Sequence, residues 1–175
     1  LKETLACSLV DLSVYNAEKP FADVFCGSGT IAIETAMIAR NIAPGLKRHF
    51  DFEKFVGFDK KILERVKSDA KSKERDIMPD IFACDISAEA IKMARENAKM
   101  AGVEKYIRFE VMNMKKFNSE KEYGVIISNP PYGDRMSDKN KVKKLYSDFA
   151  EMFKKLKNWS CYIITDDKDF EKIMG

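Results

Sequence analysis

The run Asp23-Val24-Phe25-Cys26-Gly27-Ser28-Gly29-Thr30 joins a short apolar segment to a long one through two glycines. Phe21 to Phe25 reads as a buried strand. Thr30 to Ile42 is apolar on nearly every face, as expected of a helix packed deep against a sheet. A strand turning sharply into such a helix opens an α/β sheet whose ligands sit beyond the carboxyl ends of the strands, where strand order reverses. Gly27 and Gly29 let the backbone bend tightly and approach a ligand. The helix start beyond them offers N–H groups and partial positive charge.

The rest of the chain continues the alternation. Leu1 to Tyr15 is expected as a helix with Leu5, Leu9 and Leu12 on one face, broken by the segment ending at Pro20. Asn41, Pro44 and Gly45 stop the second helix. Phe50, Phe52, Phe55 and Phe58 suggest an irregular apolar patch belonging to the core, followed by a charged helix from Lys60 to Arg75. Asp80 to Asp85 reads as a strand. Ser87 then caps a helix whose inner stripe is Ile91, Ala94, Ala98 and Ala101, and Gly102 ends it. Strands are expected at Tyr106–Met112, Tyr123–Asn129 and Trp159–Thr165. A helix carrying Val142, Leu145, Phe149, Met152, Phe153 and Leu156 precedes the last of them, and another starts at Asp167. This order implies a mostly parallel sheet with helices on both faces.

A chain of 175 residues, 45% hydrophobic, suffices for one domain over 1–175. No apolar run approaches the roughly 20 residues that cross a bilayer, and no signal peptide stands at the start, so no membrane role is expected. Cys7, Cys26, Cys84 and Cys161 lie far apart without a C-x-x-C pair, which fits a reduced cytoplasm and offers no metal site. The net charge of +3 permits a nucleic-acid partner without demanding one.

Three residues past Gly29 stands Ala32 where a dinucleotide site has its third glycine, and no G-K-[ST] is present to hold a triphosphate. A carboxylate-bearing ligand still fits the turn, and the methionine part of S-adenosylmethionine carries one. Asp85, ending the second strand, can accept both hydroxyls of a ribose. Asn113, beyond the third, can hydrogen-bond an adenine amino edge. Each residue alone is equally suited to a turn or a helix cap; together they outline a nucleoside site.

Asn129-Pro130-Pro131-Tyr132 follows the apolar strand Val125-Ile126-Ile127-Ser128. The prolines hold Asn129 and Pro130 extended and remove two N–H donors, leaving a rigid turn rich in acceptors. An exocyclic amine such as adenine N6 or guanine N2 has its lone pair delocalised into the ring and is a poor nucleophile. The Asn129 side-chain oxygen and the Pro130 carbonyl can accept both amino hydrogens and aim that lone pair at a methyl donor. Tyr132 can stack on a base swung out of its helix or loop. Positioning and electrostatics would carry the catalysis, without metal or covalent nucleophile.

With Phe25 to Thr30, the Asn129–Tyr132 motif resembles the class I methyltransferases that act on amino groups of bases. Gly27 to Ile31, Ala39 to Gly45 and Phe50-Asp51-Phe52-Glu53 are similar to the THUMP-associated methyltransferases, and within them to the bacterial 23S ribosomal RNA guanine-N2 enzymes. The resemblance spans essentially the whole chain. It implies a Rossmann-like class I fold, S-adenosylmethionine as cofactor and RNA, 23S rRNA first, as partner. Asp23, Phe25, Cys26, Gly27, Ser28, Gly29 and Thr30 would hold the methionine end of the cofactor, Asp85 with Ile86 its ribose, and Asn113 with Met114 its adenine. Asn129, Pro130 and Tyr132 would serve the target base. The family usually has proline at Val24 and aspartate at Asn113. It also carries an N-terminal THUMP region and closing antiparallel strands, neither of which is expected in this chain. Adenine-N6 methylation of DNA or RNA is the nearest alternative, and a non-catalytic cofactor- or RNA-binding module is a second.

Two basic clusters remain. The helix from Lys60 to Arg75 alternates its cations with Glu64, Asp69 and Glu74 and is expected to be a solvated face. Lys139, Lys141, Lys143 and Lys144 stand nearer the proposed base pocket, where phosphate contact and simple solvation are equally in keeping with the sequence. His49 reads as structural or exposed, and Cys26, with no base beside it, is not a nucleophile.

Overall fold

The computed structural model describes residues 1–131 and 136–175, without side chains for 136–140. Five strands, β1 (Phe21–Asp23), β2 (Ile81–Asp85), β3 (Ile107–Val111), β4 (Gly124–Ser128) and β5 (Trp159–Ile163), form one sheet in the order β3-β2-β1-β4-β5. Every pairing is parallel. Strand order reverses between β1 and β4, so the crevice that an open α/β sheet offers to ligands opens beyond Asp23 and Ser128.

The described helices are α1 (Glu3–Leu12), α2 (Thr30–Arg40), α3 (Lys60–Ser72), α4 (Ala88–Ala101), α5 (Met136–Phe153) and α6 (Phe170–Met174). Alternation along the strands divides the core into two layers. Phe21, Ile81, Ala83, Ile107, Val125 and Ile127 pack with α1, α2 and α4 on one face. Ala22, Phe82, Cys84 and Ile126 pack with α5 and α6 on the other. Sheet strands covered on both faces need near-continuous apolar sequence, which β1, β2 and β4 have. Their burial is complete or nearly so.

Helix α4 follows its expected stripe closely. The Ser87 hydroxyl accepts from the Ala90 N–H, Ile91, Ala94 and Ala98 are buried, and Gly102 caps the end at φ +82°. Helix α1 does not follow its stripe. Its buried residues are Ala6 and Val10, with Leu9 partly covered, while Leu5 and Leu12 are exposed. The small Ala6 permits close approach to α2, and that contact outweighs the larger leucines in setting the helix's rotation. The phenylalanine patch also departs from expectation. Phe50 stacks on Phe52, which meets Phe58 edge-on, but Phe52 and Phe55 are exposed and lie outside both core layers. None of the described helices is long and apolar enough to cross a membrane.

Candidate active site at the β1–β4 switch point

The β1–β4 ladder pairs Phe21 with Val125 and Ala22 with Ile126, and it ends there. Beyond it the strands are held by a side chain. The Ser128 hydroxyl accepts from the Val24 N–H at 3.0 Å and donates to Asp23 Oδ1 at 2.7 Å, with no exposure to solvent. Asp23 Oδ1 also accepts from the Phe25 N–H at 3.2 Å. Asp23 Oδ2 is buried and has no hydrogen-bond partner among the described residues. Burial pushes this carboxyl up from 3.8 to about 7; the Ser128 and Phe25 donors hold it down and nearby Asp85 raises it further.

The glycine turn rises from this point. Gly27 and Gly29 take φ of +52° and +84°, conformations that favour glycine. They do different work. A Cβ on Gly29 would meet Ala94 Cβ at 3.0 Å, so this glycine lets α4 approach the turn. Gly27 has nothing within 4 Å of the same position among the described residues, leaving room beside the backbone there. Asn97 of α4 donates to the Ser28 carbonyl at 3.0 Å and clamps the turn. Gly29 begins α2 without a side-chain cap. The Ser28 and Thr30 hydroxyls lie 3.3 Å apart at that helix start.

Asp85 stands at the end of β2, beside this turn. Its Oδ2 accepts from the Gly27 N–H at 3.0 Å and its Oδ1 from the Ser87 N–H at 2.9 Å. Each oxygen keeps a second lone pair, so the carboxylate can brace the turn and still accept hydroxyls. Ile86 next to it is exposed. Asn113 follows β3, and its Oδ1 accepts from the Lys115 N–H to start a 3-10 turn, which leaves its amide nitrogen as the group to offer. The Met114 side chain is buried in the core layer under α5, so only its main chain can face a ligand. Phe25 packs against Phe149, 5.9 Å between centroids. Burial raises the Cys26 thiol well above its ordinary value, which removes it as a nucleophile at neutral pH.

Asn129 follows β4 half-buried, and Pro130 is fully buried. Tyr132 lies outside the described residues. The structure therefore gathers Asp23, the glycine turn, Asp85, Asn113 and Asn129 along one edge of the sheet, from the ends of four neighbouring strands. Sequence reading missed Ser128 and Asn97. Ser128 had a visible signal, as the one hydroxyl in the apolar run before Asn129. Asn97 had none, because an asparagine on a charged helix face looks solvated.

A groove of about 1270 Å³ lies elsewhere, between α1, α2, α3 and the end of α4. It is lined by charges of both signs, Glu34 and Glu74 with Lys67 and Lys71 among them, and touches none of the residues above. Size does not identify the site here; convergence of buried polar groups on the strand ends does. Among the described residues no cluster of His, Cys, Asp and Glu could hold a metal ion.

Known proteins share this fold and much of this sequence. YpsC of Bacillus subtilis, provisionally named an RNA methyltransferase, is 41% identical over all of this chain and 46% of its own length. The ribosomal RNA large subunit methyltransferase K/L of Aliivibrio fischeri is 39% identical over 89% of the chain and 23% of its own length. Among solved structures, SMU.472, provisionally a methyltransferase and complexed with SAH, superposes with a TM-score of 0.95 at 42% identity, over 99% of this chain and 46% of that one. A Listeria monocytogenes protein provisionally described as an N6-adenine-specific DNA methylase gives 0.96 at 38%, over 100% and 46%. The chain thus spans less than half the length of the relatives it matches. With its parallel sheet, its braced glycine turn and a match running over residues 1–175, it belongs to the UPF0020 family, the RMKL-like methyltransferase domains.

Proposed function

We propose that this chain transfers a methyl group from S-adenosylmethionine to the exocyclic N2 of guanine in large-subunit ribosomal RNA. The observation that carries the reading is the unpartnered, buried Oδ2 of Asp23 beneath an open glycine turn, one strand away from Asn129-Pro130. A buried carboxylate oxygen without a donor favours a cationic partner, and an amino acid's α-ammonium is one. The open side of Gly27 and the uncapped start of α2 favour the carboxylate of the same amino acid. Asp85 and Asn113 suit a ribose and an adenine. The residues present therefore fit the methionine, ribose and base of S-adenosylmethionine, which when bound supplies an electrophilic methyl on its sulfonium.

The chain's own part is to present a nucleophile. Asn129 Oδ1 and the Pro130 carbonyl accept the two hydrogens of the target amino group, which leaves its lone pair as the free direction. Proline at 130 and 131 fixes the acceptors before the base arrives, so little reorganisation is left for the transition state. Ser128, held to both Asp23 and Val24 N–H, sets the height of Asn129 over the cofactor strand. The names of the K/L relatives support ribosomal RNA as substrate. An amino acceptor on adenine meets the same geometry, and the description of the Listeria structure supports that second reading.

The test is methylation of protein-free ribosomal RNA by the chain with labelled S-adenosylmethionine, followed by nucleoside mass spectrometry. N2-methylguanosine is the expected product. N6-methyladenosine would keep Asn129 and overturn the base, and no labelled nucleoside would remove the RNA reading.

A further inference from the structure

The strip from Lys47 to Arg75 holds ten Lys and Arg against six Asp and Glu. Its surplus of four exceeds the +3 of the whole chain, so the rest of the molecule is left one negative. Within the strip the acids are largely consumed. Asp51 pairs with Lys54, Glu64 with Lys60 and Asp69 with Lys73. Glu53 accepts from the Phe50 N–H, and Asp59 caps α3. Arg48, Lys61, Arg65 and Lys71 are exposed and make no ion pair among the described residues, although Arg48 and Lys71 line the groove that Glu34 and Glu74 also line.

Aromatic surface stands in the same place. Phe55 is 68% exposed and Phe52, stacked on Phe50, is 40% exposed. Val56 next to them is fully open to solvent, and Ile62 and Val66, one turn apart on α3, are more than half exposed. No residue of α3 is buried. A fold that needed this strip only for packing would turn those rings inward, as it does with the aromatic rings of its two core layers.

We propose that this strip, resting on the RNA reading above, is a second RNA-contact surface: Phe52 and Phe55 stack on unpaired bases while Arg48, Lys61, Arg65 and Lys71 hold phosphates. Surplus cations interleaved with exposed rings are the chemistry that single-stranded nucleic acid requires, since every base has a π face and every linkage a negative charge. The placement allows one RNA to reach both sites. Lys47 Nζ donates to the Met100 carbonyl at the far end of α4, whose near end adjoins Asp85. Fourteen helical residues span about 21 Å, or about six nucleotides at the ~3.4 Å spacing of a stacked strand. The strip would grip RNA flanking the target base.

The test compares the wild-type chain with Phe55→Ala, Phe52→Ala and the Lys61→Ala/Arg65→Ala pair. The probes are a fluorescein-labelled oligouridylate, read by anisotropy across a salt series, and vesicles of anionic phospholipid. These side chains are exposed, and circular dichroism checks that each variant folds. Loss of either ring should weaken RNA binding about five- to tenfold. Loss of the two cations should lower the salt slope by about two. A wild-type chain that binds and methylates RNA, with variants that bind equally well, overturns the strip and leaves the function standing. Variants that lose vesicle binding and keep RNA binding overturn it in favour of a lipid surface. A wild-type chain that neither binds nor methylates RNA overturns both.

Discussion

Replacing Ser128 by alanine tests whether the β1–β4 bridge does what the geometry says. Its hydroxyl is fully buried and makes two hydrogen bonds, one with the Asp23 carboxyl and one with the Val24 N–H. The first, to an ionisable acceptor, contributes about 1.5–3 kcal/mol, and stranding a buried N–H costs about 1–3 kcal/mol. Asp23 keeps its bond from the Phe25 N–H and can take up a proton, which offsets part of the loss. Alanine removes one oxygen and leaves no sizeable cavity. The net destabilisation is about 2–4 kcal/mol, or about 4–16 °C of melting temperature for a domain of this size.

Thermal unfolding followed by circular dichroism at pH 8, where Asp23 is mostly ionised, reads this directly. The same variant should lose activity beyond its loss of stability. The β1–β4 backbone ladder has already ended at Ala22 and Ile126, so the Ser128 hydroxyl carries the hold of β4 on β1 next to Asn129. On the other side of β4, β5 holds it through Ser128 and Ile163. A displacement near 1 Å can cost about a hundredfold in rate. A variant that melts within about 2 °C of wild type and keeps its kcat on RNA would refute both the energetics and the positioning role.

How much of this was legible beforehand depended on which force decided each element. The two motifs and the alternation of strand and helix are local signals, so the parallel sheet and the strand-end site followed from them. Each of the five strands was found within a few residues. The rotation of α1 was not legible, because Ala6 wins its place by closeness to α2 and not by its own apolar area. The exposure of Phe52 and Phe55 was hidden for the opposite reason. Hydrophobicity predicts burial only where a partner surface exists, and the core layers were already filled by other residues. Ser128 and Asn97 belong to contacts 104 and 69 residues long in sequence, and their roles exist only once β4 lies beside β1 and α4 lies over the turn.

Further outcomes follow from the site. Asn129→Ala should lower kcat by about 10²–10³ while leaving cofactor affinity nearly unchanged, as separate titration and turnover measurements would reveal; equal kcat would remove its role as acceptor. Gly29→Ala should destabilise by about 2–4 kcal/mol in urea unfolding, because it adds a Cβ 3.0 Å from Ala94 at a φ of +84°. The pH dependence has the reverse of the usual carboxylate sign. Asp23 sits near 3.8 unfolded and about 7 folded, so between these values the folded chain holds a proton that the unfolded chain has released. Stability from this group is therefore withdrawn as pH rises through that window and is level above it. Cofactor binding should run the other way, since an α-ammonium needs the ionised carboxylate. Asp85 faces the same space, and the Cys26 and Cys84 thiols beside it are pushed up by burial and stay neutral throughout. Affinity for S-adenosylmethionine should thus fall by up to about tenfold per pH unit below 7 and level off above it. Asp23→Asn should flatten that profile, and calorimetric titrations on both sides of pH 7 that show a level wild-type curve would mean that Asp23 does not meet the ammonium.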